Sequence, residues 1–253
     1  MKDYSANYAK HYDLLTSHKD YETEARILAN FLENQGWGPE ARVLSVGCGT
    51  GSHERLLAGR FRQVVGIDRS THMINFGRMK DPIENLILRD TDLANLEEDN
   101  FDIVISLFNV VNCIAGLEVL NAFFDDIAKK VSETGICILE VWSSSAVISV
   151  PPEVVEREYR DGSVHLKRIA TPHLFPNDAI LSLEYQITGD DGDKPVAISS
   201  LHNIYLHSKE LLVCCLEQAG FGTPDWYSAL SEGMDPADEE DRMLLLCARK
   251  LTE

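Results

Sequence analysis

Over residues 1–142 the apolar positions fall into two kinds of pattern. Short runs centred on Val43–Val46, Val64–Ile67, Leu86–Leu88, Phe101–Leu107 and Ile136–Trp142 are rich in β-branched residues and carry little charge. Such runs predict strands buried on both faces. Between them the spacing changes to three and four. Ala25, Leu28 and Leu32 with Ile27 and Phe31 form one stripe, and Leu117, Leu120, Phe123, Phe124 and Ile127 form another. The first stripe stops at Gly36-Trp37-Gly38-Pro39. Further helices are predicted at 53–59, 71–79 and 117–130, with Gly135 opening the fifth strand. A helix begun by Ser208 and closed by Gly220, a short strand at 225–228 and a last strand at 242–249 follow. The alternation predicts an α/β fold with a doubly wound, mostly parallel, seven-stranded sheet.

From 143 to 206 the helical period disappears. Val154–Tyr159, Ser163–Ile169, Ile180–Ile187 and Pro195–Leu206 alternate apolar and polar residues. Asp161-Gly162, Pro176-Asn177-Asp178 and Gly189–Asp193 punctuate them. This predicts a four-stranded antiparallel insertion after the fifth strand. The expected organisation is a tyrosine-rich arm and helix at 1–38 (Tyr4, Tyr8, Tyr12, Tyr21), a core at 39–142 and 207–253, and the insertion at 143–206. The arm is either an anchor on the core or a lid. The insertion is either a roof over the site or a homodimer surface.

The chemistry is densest at Val43–His53. After the first strand come Gly47, Gly49 and Gly51 at alternate positions, then the start of a helix. Strand, glycine turn and helix start form a cradle for a nucleotide-type ligand. The spacing G-x-G-x-G differs from the dinucleotide fingerprint G-x-G-x-x-G. Asp68 ends the second strand, 21 positions after Gly47, the offset of a carboxylate that accepts hydrogen bonds from a ribose diol. Its other reading is a helix cap, a task Ser70 can take instead. Arg69 follows it, and Met73 falls either at a base edge or in the core. Asp90 and Thr91 end the third strand. There a carboxylate can accept from an adenine amino group while a backbone N–H meets a ring nitrogen, and a plain turn is the alternative. The end of the fourth strand, Ser106 to Cys113, faces the reactive end of such a ligand.

Charge narrows the partners. Forty-one acidic against 23 basic residues leave a net charge of −18, which repels phosphate backbones and disfavours nucleic acid. A small acceptor bearing an amine suits this balance, although a solvated surface accounts for most of the charge. The first residues show no apolar leader, and no run reaches the length of a membrane span. The expected location is cytoplasmic, with the six cysteines reduced. No metal-ligand spacing occurs, so no metal is expected.

Val46-Gly47-Cys48-Gly49-Thr50-Gly51-Ser52-His53 resembles motif I of the class I S-adenosylmethionine methyltransferases, written E/D/V-x-G-x-G-x-G. Tyr12-Asp13-Leu14, Lys19-Asp20-Tyr21-Glu22, Ser106-Leu107-Phe108, Leu139–Trp142 and His202–Glu210 narrow the likeness. They resemble the N,N-dimethyltransferases of nucleotide-linked amino sugars and the glycine N-methyltransferase-like group. The resemblance implies S-adenosyl-L-methionine as cofactor. Tyr12 would cover it. Gly47, Cys48, Gly49, Gly51, Asp68 and Arg69 would hold its methionyl and ribose parts, and Met73, Asp90, Thr91 and Leu107 would complete the pocket. It also implies that Arg242 reaches a sugar nucleotide, and that Cys113 stands where the group carries a histidine.

The implied reaction is in-line transfer to a nucleophile held in place. A neutral amine needs no strong base, whereas an alcohol does. Glu140, at the end of the fifth strand, and His202, in the insertion, are the acceptor-side candidates. O-methylation of a hydroxylated metabolite and a non-catalytic cofactor-binding module are the rival readings.

Overall fold

The computed structural model describes residues 5–232 and 234–252; Tyr4 of the predicted arm lies outside the described residues. Strands β1 (Arg42–Val46), β2 (Gln63–Asp68), β3 (Leu86–Asp90), β4 (Phe101–Ser106), β5 (Val131–Trp142), β10 (Asp225–Ser228) and β11 (Met243–Arg249) form one sheet. Its order is β10-β11-β5-β4-β1-β2-β3. β11 runs antiparallel to both neighbours, and the other pairings are parallel. The order reverses between β1 and β4, so a crevice opens at the carboxyl ends of these two strands.

Strand periodicity divides the core into two layers. Leu44, Val46, Val65, Ile67, Val104 and Leu139 point one way, onto α5 (Leu117–Lys130) and α7 (Lys209–Gln218). Val43, Val64, Ile103, Ile105, Ile136 and Ile138 point the other way, onto α2 (Tyr21–Asn34) and α3 (Ser52–Leu57). With both faces covered, both parities along each strand must be apolar, which is why the sequence shows runs rather than alternation.

Strands β6 (Val155–Asp161), β7 (Val164–Phe175), β8 (Ile180–Asp190) and β9 (Pro195–Tyr205) form the antiparallel sheet, in that order. Three features differ from the sequence expectation. The arm is a helix, α1 (Ala6–Leu15), capped by the Ser5 hydroxyl, which accepts from the Tyr8 N–H. Its inward face carries Tyr8, Ala9, His11 and Leu15, a mixed set with weak apolar periodicity. A short helix α6 (Ser144–Ser149), capped by Ser143, separates β5 from the insertion. β5 also begins at Val131 rather than at Gly135. The ladder with β4 shifts register between Phe101 and Ile103, and Gly135 sits in that irregularity. A Cβ on it would stand 2.9 Å from the Asp102 carbonyl oxygen.

Helix α1 lies between the two sheets. Tyr8, Ala9 and Leu15 pack with Met73 of α4 (Thr71–Arg78) on the core side and with Tyr159, Leu166, Ile187 and Val196 of the insertion. Lys10 pairs with Asp191 in the β8–β9 loop at 2.6 Å. Asn112 braces the opposite end. Its amide donates to the Tyr205 carbonyl at the end of β9 and accepts from the Trp142 N–H at the end of β5, both at 2.8 Å. The insertion is therefore tied to the core on both sides of the crevice.

Candidate active site

The crevice holds a cavity of about 300 Å³. The glycine turn forms one wall. Gly47, Gly49 and Gly51 have φ of 77°, 58° and 76°, a left-handed series that residues with a Cβ adopt only at a cost. A Cβ on Gly47 would stand 2.4 Å from Val110 Cγ2, and one on Gly49 would stand 3.7 Å from the Tyr12 ring. Bare backbone thus faces the space between the turn, the β4 loop and α1.

Asp68 holds this turn from β2. One carboxylate oxygen accepts from the Gly49 N–H at 2.9 Å, and the other accepts from the Ser70 N–H at 2.8 Å. Ser70 takes the cap of α4, its hydroxyl accepting from the Met73 N–H. The cap reading thus passes from Asp68 to Ser70. A carboxylate has about four acceptor positions, and Asp68 stands at the cavity wall.

Tyr12, Gly47, Gly49, Asp68, Arg69, Met73 and Thr91 of the expected set line the cavity. Met73 is fully buried under α1 and is also one of the residues that line the cavity. Asp90 lies apart. It is exposed at the end of β3, 3.7 Å from Arg78, and Asp92, two residues further on, lines the cavity in its stead. Strand ends are hard to phase from sequence, and two acids in Arg89-Asp90-Thr91-Asp92 gave no local reason to choose the second. Cys48 and Leu107 line a smaller adjoining chamber. Gly51 serves the turn, its α carbon facing Leu88.

The acceptor-side candidates are spread out. Glu140 is 4% exposed, and its Oε2 accepts from the Phe108 N–H at 2.6 Å. That bond holds a strained loop, since Phe108 and Asn109 have φ of 61° and 59°. Phe108, Val110, Cys113 and Ile114 then line the cavity. His202 stands on β9 with its ring centroid 5.2 Å from that of Tyr185 and 6.0 Å from that of Tyr8. Burial lowers its pKa. Arg242 is exposed at the start of β11, and its carbonyl accepts from the Ser143 N–H. Neither Glu140, His202 nor Arg242 lines the cavity.

On the other side of the turn, His53 Nε2 lies 2.7 Å from Glu24 Oε2, and Lys19 lies 3.2 Å from the same carboxylate oxygen and 3.5 Å from the centre of the Phe108 ring. Tyr21 lies edge-on to His53. Asp13 accepts from the Thr50 hydroxyl and pairs with Lys80 at 2.8 Å. The helical arm is thus fastened to the cradle by charge as well as by Tyr12. Sequence reasoning placed Val110 and Asn112 in the stretch after the fourth strand without giving either a separate role, and it missed Glu54, whose one signal is an acid in the first turn of a helix with apolar neighbours.

Comparison with known proteins places the chain. The family described as "Methyltransferase domain" matches residues 44–139. A dTDP-3-amino-3,6-dideoxy-alpha-D-glucopyranose N,N-dimethyltransferase of Streptomyces fradiae is 32% identical over 143 residues, which is 55% of each chain. The match therefore spans about half the length of that relative. A dTDP-3-amino-3,4,6-trideoxy-alpha-D-glucopyranose N,N-dimethyltransferase of Streptomyces venezuelae is 30% identical over 166 residues, covering 62% of this chain and 68% of that one. A solved structure of an amino pentose methyltransferase from Micromonospora echinaspora, bound to S-adenosylmethionine, has a TM-score of 0.74 at 20% identity and covers 99% of both chains. That likeness establishes the fold.

Proposed function

The chain belongs to the S-adenosylmethionine-dependent methyltransferases, and from that we propose that it N-methylates the amine of a nucleotide-linked amino sugar. The observation that carries the acceptor class is the match to two N,N-dimethyltransferases of dTDP-linked 3-amino sugars.

The cofactor supplies a methyl group already activated on a sulfonium. The residues then have to bind, orient and exclude water. The glycine turn offers bare backbone. In our reading, Asp68 takes the ribose hydroxyls while it holds Gly49, and Met73, Thr91 and Asp92 flank the base. Tyr12, over Gly49, closes the cofactor from the side of α1. The insertion, joined to the core through Asn112 and to α1 through Lys10, roofs the acceptor, and the exposed Arg242, just before β11, meets the nucleotide phosphates. Tyr8, Tyr185 and His202 present ring faces and edges suited to an amine-bearing sugar.

An amine acceptor is favoured over an alcohol because Glu140, the acid expected on the acceptor side, is buried away from the cavity and committed to the Phe108 N–H. The protein is incubated with S-adenosylmethionine and a panel of nucleoside-diphosphate sugars carrying either an amine or a hydroxyl at the same carbon. A mass gain of one or two methyl groups on the amino sugars alone is expected. Methylation of the hydroxyl sugars, abolished by His202→Ala, would establish base-assisted O-methylation instead. Cofactor binding without transfer to any member would favour a non-catalytic module.

A further inference from the structure

The two faces of the insertion treat their basic residues differently. On the outward face Lys167 pairs with Glu156 at 2.6 Å, and Glu158 lies 3.4 Å from Arg160 and 3.2 Å from His165. The inward face is marked by Tyr159 and Leu166, which stand opposite each other in the β6–β7 ladder and pack with α1. Two positions along the same face, Arg157 stands opposite Arg168. Residues so placed have Cβ atoms about 5 Å apart, and like charges there are destabilising. Neither arginine forms an ion pair among the described residues, in a chain whose net charge is −18. Two polar groups converge on the pair. The Tyr159 hydroxyl is buried without a hydrogen-bond partner. The His18 ring centre lies 6.2 Å from that of Tyr159, and its pKa is lowered by burial first and then by Arg157, Arg168 and Lys19. The Arg168 guanidinium lies 5.4 Å from the ring centres of both Tyr159 and Tyr185 and donates to the Leu15 carbonyl at 3.2 Å, which uses one of its five N–H donors. From Tyr185 a line of rings leads to the main cavity. Tyr185 lies 5.2 Å from His202, His202 lies 6.0 Å from Tyr8, and Tyr8 lies 6.2 Å from Tyr12 at the cavity wall.

Resting on the reading that the acceptor lies under the insertion, we propose that Arg157, Arg168 and the Tyr159 hydroxyl form an oxyanion subsite that takes a phosphate or carboxylate group of the acceptor. Two guanidinium forks side by side match the planar or tetrahedral oxygens of such a group. The Tyr159 hydroxyl supplies a further donor, and the anion relieves the repulsion between the arginines. The rings of Tyr185, His202 and Tyr8 then carry the uncharged body of the acceptor from this subsite toward the cofactor. Arg242, to which the family resemblance gives the nucleotide phosphates, precedes β11 of the other sheet. The subsite is thus a separate anionic contact, supplied by the insertion itself.

Calorimetric titration of the full chain with inorganic pyrophosphate and with glucuronate, in the presence of S-adenosylhomocysteine, tests this. Arg157 is exposed, so Arg157→Gln should fold, and it should melt no lower than the unaltered chain because it removes a like-charge contact. It should bind the recognised anion about ten-fold more weakly, the size of one charge-assisted hydrogen bond. Lys167→Gln makes the same change of charge on the outward face and should alter that affinity by less than about two-fold. A loss for pyrophosphate identifies a phosphate as the group held, and a loss for glucuronate identifies a carboxylate. Unchanged binding by Arg157→Gln, equal losses in Arg157→Gln and Lys167→Gln, or no binding of either anion by the unaltered chain would overturn the proposal. In turnover of an amino sugar bearing the recognised anion, Arg157→Gln should raise KM about ten-fold and keep kcat within about two-fold. An unchanged KM would overturn the subsite and leave the N-methylation reading intact. Anion binding that depends on Arg157, with no transfer to any amino sugar, would overturn that reading and leave the subsite standing.

Discussion

The Glu140 carboxylate, buried at the end of β5, accepts the backbone N–H of Phe108 at 2.6 Å. Phe108 and Asn109 both hold positive φ, so this bond offsets the strain of a loop whose next residue, Val110, packs under Gly47. The carboxylate anchors the wall of the cavity and acts on the ligand through Phe108. Glu140→Ala should lower stability by about 1–3 kcal/mol, the cost of an unpaired buried donor, and should weaken nucleoside binding. Glu140→Gln, which keeps an acceptor, should retain most of both. Urea unfolding and calorimetry separate the two variants. Equal loss of turnover in both, with binding intact, would return Glu140 to a catalytic role.

Gly47→Ala places a methyl group 2.4 Å from Val110 Cγ2 at φ 77°. Left-handed backbone and overpacking together should cost about 2–5 kcal/mol. The variant should melt lower and lose cofactor affinity. Adding Val110→Ala should restore the steric part and leave the backbone part, so the double variant should melt between the two. A double variant no better than the single would show that the clash is not where the cost lies.

Asp68 serves the turn and, in the proposed complex, the ribose. Asp68→Asn keeps an acceptor for one of its two backbone donors but loses the charge. It should reduce adenosine-type affinity about ten-fold while lowering stability by about 1 kcal/mol. Asp68→Ala frees the Gly49 and Ser70 N–H groups and should cost more stability. Titration with methylthioadenosine reads the ribose contribution directly, because that ligand carries no amino-acid end.

The link between α1 and the insertion is pH-dependent. Lys10, with the backbone N–H groups of Lys194 and Asp193, pulls the Asp191 carboxyl down to about 2. A folded value below the ordinary 3.8 means that the contribution is fully present above pH 3.8 and is lost as pH falls toward 2. Asp191→Asn should therefore loosen α1 by a constant amount near neutrality, and the difference from the unaltered chain should vanish in acid. Amide exchange across Ala6–Leu15 measures it. Because Lys10 is half exposed, high salt should shrink the effect.

Short-range chemistry was legible in the chain by itself. Apolar runs such as Val43–Val46 identified strands buried on both faces, the three alternating glycines identified a turn of left-handed residues, and Ser70 and Ser208 marked helix starts. These depend on neighbours within a few positions, so one strand of text carries them. Helix α1 escaped because its packed face is built of tyrosine, alanine and histidine rather than aliphatic residues. Tertiary structure alone decided which acids matter and how. Glu140 meets Phe108, Glu54 meets Ser45, and Asn112 meets both Trp142 and Tyr205. The choice of Asp92 over Asp90 at the cavity depended on the last turn of a strand end. A carboxylate's work is set by its burial and by donors brought to it from distant parts of the chain, and neither is written in the residues beside it.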